Sequence, residues 1–186
     1  MPEVVIDSIR VSLVNHQRVV VLKDVKSGLY LPIWIGASEA DSIAVKMQGV
    51  FLPRPLTHDL LASVIDRLGG SLTHITINDL KDDTFFAQIT IDLNGLVVDV
   101  DSRPSDAIAI AVRADVPIYV ADHVLNKAGI SLDDSGSPVI PNDENDEPRG
   151  IKEEDLRRMS AFTDFIDTLD IEDIGNEGQE SSEQAS

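Results

Sequence analysis

The chain has 186 residues, 42% of them hydrophobic but only 4% aromatic, with a formal net charge of −18 and no cysteine. That length suits one domain plus a tail with a mostly aliphatic core, and the missing cysteines exclude a disulfide framework, a CxxC redox pair and a thiolate metal site. No apolar run approaches the ~18–20 residues that cross a bilayer, and no secretory signal is visible, so a cytoplasmic location without a membrane partner is expected.

The acidity is uneven. Residues 131–186 hold 17 acids and 4 bases, whereas residues 1–130 hold 16 acids and 11 bases. A body this mildly acidic argues against broad electrostatic adhesion to nucleic acid, so any phosphate recognition has to come from a local cluster of bases.

Residues 4–13 alternate, with Val5, Ile9, Val11 and Leu13 on one parity. Val19 to Leu22 and Leu29 to Ile35 follow, separated by the turn Lys26-Ser27-Gly28. Short links predict three neighbouring antiparallel strands. Ser38, with Asp41 three residues on, suggests a loose capping box before a helix bearing Ala40, Ile43, Ala44 and Met47. Gly49 suits its end. A second helix is predicted from Thr57 to Leu68, with a stripe of Leu60, Leu61, Val64, Ile65 and Leu68.

The pattern then recurs. Leu72 to Ile77 and Phe85 to Leu93 are predicted strands flanking a Lys81-Asp82-Asp83 turn, and Asn94-Gly95 leads as a hairpin turn into Leu96 to Val100. A helix from Pro104 to Arg113, a short strand at Ile118–Val120 and a short helix at 122–127 complete the body. The expected fold is therefore α+β, a mainly antiparallel or mixed sheet with flanking helices. A strand-strand-strand-helix unit occurs twice, and at an offset of 65 residues Leu31 meets Leu96, Asp41 meets Asp106 and Ile43 meets Ile108. Internal duplication and chance similarity explain that echo about equally well.

Beyond the body, residues 135–150 read as an acidic flexible connector, 151–170 as a C-terminal helix and 171–186 as a disordered acidic, solubilising tail. The apolar face of that helix, with Leu156, Met159, Phe162, Ile166 and Leu169, can dock on the body or on another copy.

Two helix starts share a pattern: Arg54-Pro55-Leu56-Thr57-His58-Asp59 and Arg103-Pro104-Ser105-Asp106. Proline in the first turn, hydroxyls as caps and aspartates at the positive end of the dipole account for everything except the arginines. A helix start also binds phosphate, and an adjacent arginine supplies a planar fork for its oxygens. A first-turn aspartate opposes that use unless it pairs with the arginine or holds a metal. His58 lies at the edge of the apolar stripe, where a plain surface histidine and an acid–base group both fit. Glu39 sits in the first turn of its helix, either complementing the dipole or facing the same cleft. No GxGxxG, GxxxxGK[ST] or GxSxG motif is present, and no histidine has a partner at metal-ligand spacing.

The segments "LPIWIG" (31–36) with Glu39-Ala40, "RPLTHDLL" (54–61), "LKDDTFFA" (80–87) and "DSRPSDAIAIAV" (101–112) together resemble the bifunctional nuclease domain family. The resemblance covers about residues 3–134, so a domain over 1–134 is expected. It implies cleavage of DNA and RNA, and it places Glu39, Arg54, Thr57, His58, Asp59, Lys81, Asp82, Arg103, Ser105 and Asp106 on motif positions. In the reading adopted here, Arg54, Thr57, Arg103, Ser105 and Lys81 bind phosphate. His58, Asp59 and Glu39 are catalytic, with Asp59 orienting His58, and Glu39 and Asp106 hold a divalent metal such as Mg²⁺ or Mn²⁺. The partner is nucleic acid and the assembly a homodimer. The alternative is a non-catalytic module that binds an anion, a metabolite or a protein. Arg103 tied to Glu39 or Asp106, without an open pocket between the helix starts, favours that alternative.

Overall fold

A computed structural model describes residues 1–11, 17–132 and 138–139. His16 and the regions predicted as connector, C-terminal helix and tail lie outside these residues, apart from 138–139.

Alternation and short turns produce two three-stranded meanders. The first contains β1 (Glu3–Val11), β2 (Arg18–Asp24) and β3 (Tyr30–Ile35); the second contains β4 (Gly70–Lys81), β5 (Thr84–Leu93) and β6 (Leu96–Ser102). The turns follow the predicted chemistry. Asp82, Asp83 and Asn94 have φ of 46°, 58° and 56°, and Gly95 has φ 88°, the positive values that two-residue hairpins of this hand require. Asp92 secures the second hairpin by accepting the Gly95 N–H at 2.6 Å.

The meanders join through β7 (Ile118–Val120) into one mixed sheet of seven strands, ordered β3-β2-β1-β7-β4-β5-β6. β7 runs antiparallel to β1 and parallel to β4. The two meanders therefore run in opposite senses on either side of it, as a pseudo-twofold arrangement of the repeated unit would require. Register shifts in β1 and β4 interrupt the ladders, and the sheet curls into a half-barrel with flanking helices. A separate pair, β8 (Ser131–Leu132) and β9 (Pro138–Val139), lies outside it.

Inside the curl lies α3 (Pro104–Ala114). Its Ala107, Ile108, Ala109, Ile110 and Ala111 are all buried. Small alanines let α3 approach the strands while the isoleucines fill the space among Leu22, Leu31, Ile33, Ile75, Ile77 and Val120. Helices α1 (Ala37–Met47) and α2 (Thr57–Arg67) pack on α3, and α4 (Asp122–Ala128) closes one end.

Three local expectations change. α1 begins after Gly36 and has no side-chain cap, so Ser38 does not close a box with Asp41. α2 and α3 are preceded by Leu56 and Arg103, also without side-chain caps; Thr57 and Ser105 are already inside their helices. The third concerns the apolar stripe of α2. Its inward contacts come from His58, Ala62 and Ile65, while Leu60, Leu61, Val64 and Leu68 face solvent. Around an ideal helix the exposed four fall within an arc of about 100°, beside the arc that meets the core. The apolar surface of α2 is wider than the body can cover.

Because α3 contacts strands of both meanders, truncating it should weaken the whole domain. Ile108→Ala should cost about 2–5 kcal/mol by equilibrium denaturation in urea, as a buried Ile with no room to collapse.

Candidate functional site

The packing of α1, α2 and α3 gathers charged residues from their first turns and from the last turn of α3. Glu39 lies in the first turn of α1, His58 and Asp59 in that of α2, and Asp106 in that of α3. Two arginines hold this group, Arg113 in the last turn of α3 and Arg103 just before its start, one buried and one exposed.

The buried one is Arg113, whose side chain is only 4% exposed. Its Nε donates to Asp59 Oδ1 at 2.5 Å, and its Nη1 donates to the Ala109 carbonyl at 2.8 Å. Its Nη2 donates to Ser42 Oγ at 2.9 Å and to the Ser42 carbonyl at 3.2 Å. One guanidinium therefore ties together all three helices. Asp59 also accepts the Leu56 N–H at 2.8 Å, which anchors the start of α2. Burial alone would raise the Asp59 pKa, but the Leu56 N–H and Arg113 outweigh it and the carboxyl lies below its usual range.

Ser42 passes this order on to His58. Its Oγ lies 3.1 Å from His58 Nδ1, and His58 Nε2 lies 3.1 Å from Asp106 Oδ1. Because Ser42 Oγ already accepts from Arg113, its own hydrogen is available for Nδ1. Nε2 then carries the ring proton and donates to Asp106. His58 is buried, and its two ring nitrogens have fixed partners. The expectation that Asp59 orients His58 does not match this geometry: Asp59 serves Arg113, and Ser42 and Asp106 flank the imidazole.

Arg103 caps the solvent side, its side chain 66% exposed. Its Nε donates to Asp106 Oδ2 at 2.7 Å, and its Nη2 donates to Asp106 Oδ1 at 3.0 Å and to Glu39 Oε1 at 2.9 Å. Burial would raise the Asp106 pKa, yet Arg103 and His58 together hold it below the usual carboxylate range. Asp106 and then Glu39 raise Arg103 above its already high value.

The linked residues carry three carboxylates against two guanidiniums, so the group bears one net negative charge while His58 is neutral. Arg103 lies between Glu39 and Asp106, where the metal was expected. Among the described residues, no group of three His, Cys, Asp or Glu side chains is placed to hold a metal ion. A divalent cation does not fit this arrangement unless Arg103 first releases both acids.

The other expected residues are placed separately. Arg54 is exposed on the link before α2 and makes no hydrogen bond or ion pair among the described residues. Thr57 is exposed, and Ser105 is buried beside Asp106. Lys81 pairs with Asp79 at the β4–β5 turn and takes no part in the linked group, nor does Asp82. Sequence reasoning missed Ser42 and Arg113. A hydroxyl amid the apolar residues of α1 was the only local sign of Ser42. Arg113 looked like an ordinary base in a last helical turn.

A mixed half-barrel sheet enclosing one helix, with an arginine–histidine–carboxylate group at the surrounding helix starts, defines an α+β domain of the kind the sequence motifs suggested. A family model described as the bifunctional nuclease domain matches residues 20–133. The chain belongs to the bifunctional nuclease domain family. It is 42% identical over 167 residues to an uncharacterized protein of Mycobacterium tuberculosis, covering 89% of this chain and 95% of that protein. It is 28% identical over 129 residues to Bifunctional nuclease 1 of Arabidopsis thaliana, covering 68% of this chain but 40% of the plant protein. Bifunctional nuclease 2 of the same plant is 29% identical over 124 residues, 65% of this chain and 38% of its own length. No helix among the described residues is long and apolar enough to cross a membrane.

The two arginines should separate stability from surface chemistry. Arg113→Ala should destabilise the fold by about 1–3 kcal/mol, because it removes the bonds that tie buried Ser42 and half-exposed Asp59 to α3, while solvent can still reach the Asp59 carboxylate. Arg103→Ala, breaking exposed pairs, should cost less than about 1 kcal/mol in the same urea titration. The depressed carboxyls also set a pH dependence. Asp59 and Asp106 contribute stability that is fully present above the unfolded pKa of about 4 and is lost as pH falls through their lower folded values. The melting temperature should therefore fall steeply below about pH 4, with a shallower fall in Asp59→Asn.

Proposed function

We propose that this chain hydrolyses phosphodiester bonds of DNA or RNA, with little sequence preference, where the starts of α1, α2 and α3 meet. The observation that carries this reading is His58, an imidazole where the three helix starts meet, oriented from beneath by Ser42 and linked through Asp106 to the solvent-exposed Arg103 fork. Its supports are the family and the names of the plant relatives.

In this mechanism Arg103 takes phosphate oxygens in exchange for the Glu39 carboxylate, and the unpaired Arg54 supplies a second positive charge. The amides at the start of α3 add to that attraction. His58 exchanges a proton with water or with the leaving oxygen. Both its nitrogens are engaged, so the reactive form is the other tautomer: the ring proton sits on Nδ1 and is donated to Ser42 Oγ, and bare Nε2, released from Asp106 whose carboxylate stays on Arg103, takes a proton from the attacking water and passes it to the leaving oxygen. Asp106 then balances the imidazolium, and Ser42 and Arg113 position the ring without touching substrate. Protonated His58 would also cancel the net negative charge of the group, which favours an anionic substrate. No step is assigned to a metal.

One observation favours a second reading, a module that binds an anion or a protein without cleaving it. Arg103 is fully matched by Glu39 and Asp106, as expected of a group that closes on itself.

Degradation of a labelled single-stranded oligonucleotide distinguishes the two, run with Mg²⁺, with Mn²⁺ and with a chelator. Wild type should cleave, and identically purified His58→Ala should be slower by at least ~100-fold. Arg103→Lys, which keeps charge but loses the fork, should raise KM more than it lowers kcat. Equal cleavage by wild type and a folded His58→Ala/Arg103→Ala variant, or none by either, would end the nuclease reading for this chain.

A further inference from the structure

The exposed apolar face of α2 extends past the helix. Leu60, Leu61, Val64 and Leu68 are 57%, 39%, 44% and 72% exposed. The link from α1 adds Val50 and Phe51, at 50% and 92%. The two parts adjoin, because this link runs directly into the start of α2, which Ser42 of α1 meets through His58 at 3.1 Å. Scaled by residue size, these residues present about 600 Å² of surface, at the top of the ~300–600 Å² range of the largest apolar patch on a typical monomer.

The rim is basic. Lys46, Arg54 and Arg67 are exposed, and none of their side chains makes a hydrogen bond or ion pair among the described residues. An apolar face with cations at both ends suits an acidic amphipathic helix. A second copy brought face to face would set cation against cation in either orientation.

The chain itself carries such a segment. Residues 153–169 contain five acids and two bases, with Leu156, Met159, Phe162, Ile166 and Leu169 spaced for one helical face. They follow β9 by 13 residues, a link that reaches about 45 Å when extended, enough to arrive anywhere on a body of this size. The Mycobacterium tuberculosis relative matches 89% of this chain, so that match necessarily continues beyond residue 133, where the family model ends, into this segment.

We propose that residues 153–169 dock as an acidic amphipathic helix on the apolar face formed by α2 and the link before it, with their acids facing Lys46 and Arg67. The docking covers a surface the body leaves open, and it stands independently of the nuclease reading.

The absence of native cysteine permits a direct test on the full chain. A nitroxide is attached at Ser63→Cys, an exposed α2 position beside the stripe, and the ¹⁵N-labelled protein is diluted into excess unlabelled wild type. The amide signals of 153–169 should lose most of their intensity, and reduction of the nitroxide should restore it. Leu60→Glu/Val64→Glu, both at exposed positions, should abolish the loss while the signals of α3 stay in place. Broadening only when ¹⁵N wild type is mixed with unlabelled nitroxide-bearing protein would assign the face to a second copy and overturn the proposal. No broadening in either sample, or broadening that survives the double substitution, would overturn it too.

Discussion

An arginine side chain cannot shed its charge, so burying one obliges the fold to surround it with acceptors. Arg113 imposes that obligation here. From the last turn of α3 it claims the Asp59 carboxylate of α2, the Ser42 hydroxyl and carbonyl of α1, and a carbonyl of its own helix. The three helices cannot slide past one another without leaving one of these groups desolvated and unpaired. The position of His58 follows from this constraint, because the serine that receives Arg113 is also the one that faces Nδ1.

Arg103 obeys the same chemistry under different physics. It makes as many charge-assisted bonds as many buried arginines do, yet in solvent those bonds are screened and weak. A strong interaction beneath and a weak one above form a useful combination. The imidazole and Asp106 are held in register from below, while the guanidinium over them can exchange partners at low cost.

Much of the fold was legible because its signals are local. Alternation marks β1 and β4, apolar runs between turn residues mark the other strands of the meanders, helical spacing marks α1 and α2, and the positive φ of Asn94 and Gly95 is what that dipeptide supplies in a tight hairpin. Even the Arg103–Asp106 pair could be anticipated, since residues three apart share a helical face. The capping assignments failed by a residue or two. Arg103 and Leu56 occupy the cap positions, and the nearby hydroxyls are already helical.

The sequence by itself determined the elements, the doubled meander-and-helix order and the family, each a matter of short-range pattern or motif. Only the tertiary structure decided that β7 enters between β1 and β4, and so that the two meanders form one sheet. It alone paired Arg103 with Glu39, 64 residues away, and Arg113 with Ser42, 71 residues away. It also chose which part of the apolar arc of α2 meets the core. Periodicity specifies which residues share a face, but which face meets which neighbour is set by packing across the chain, where one buried guanidinium outweighs any local preference.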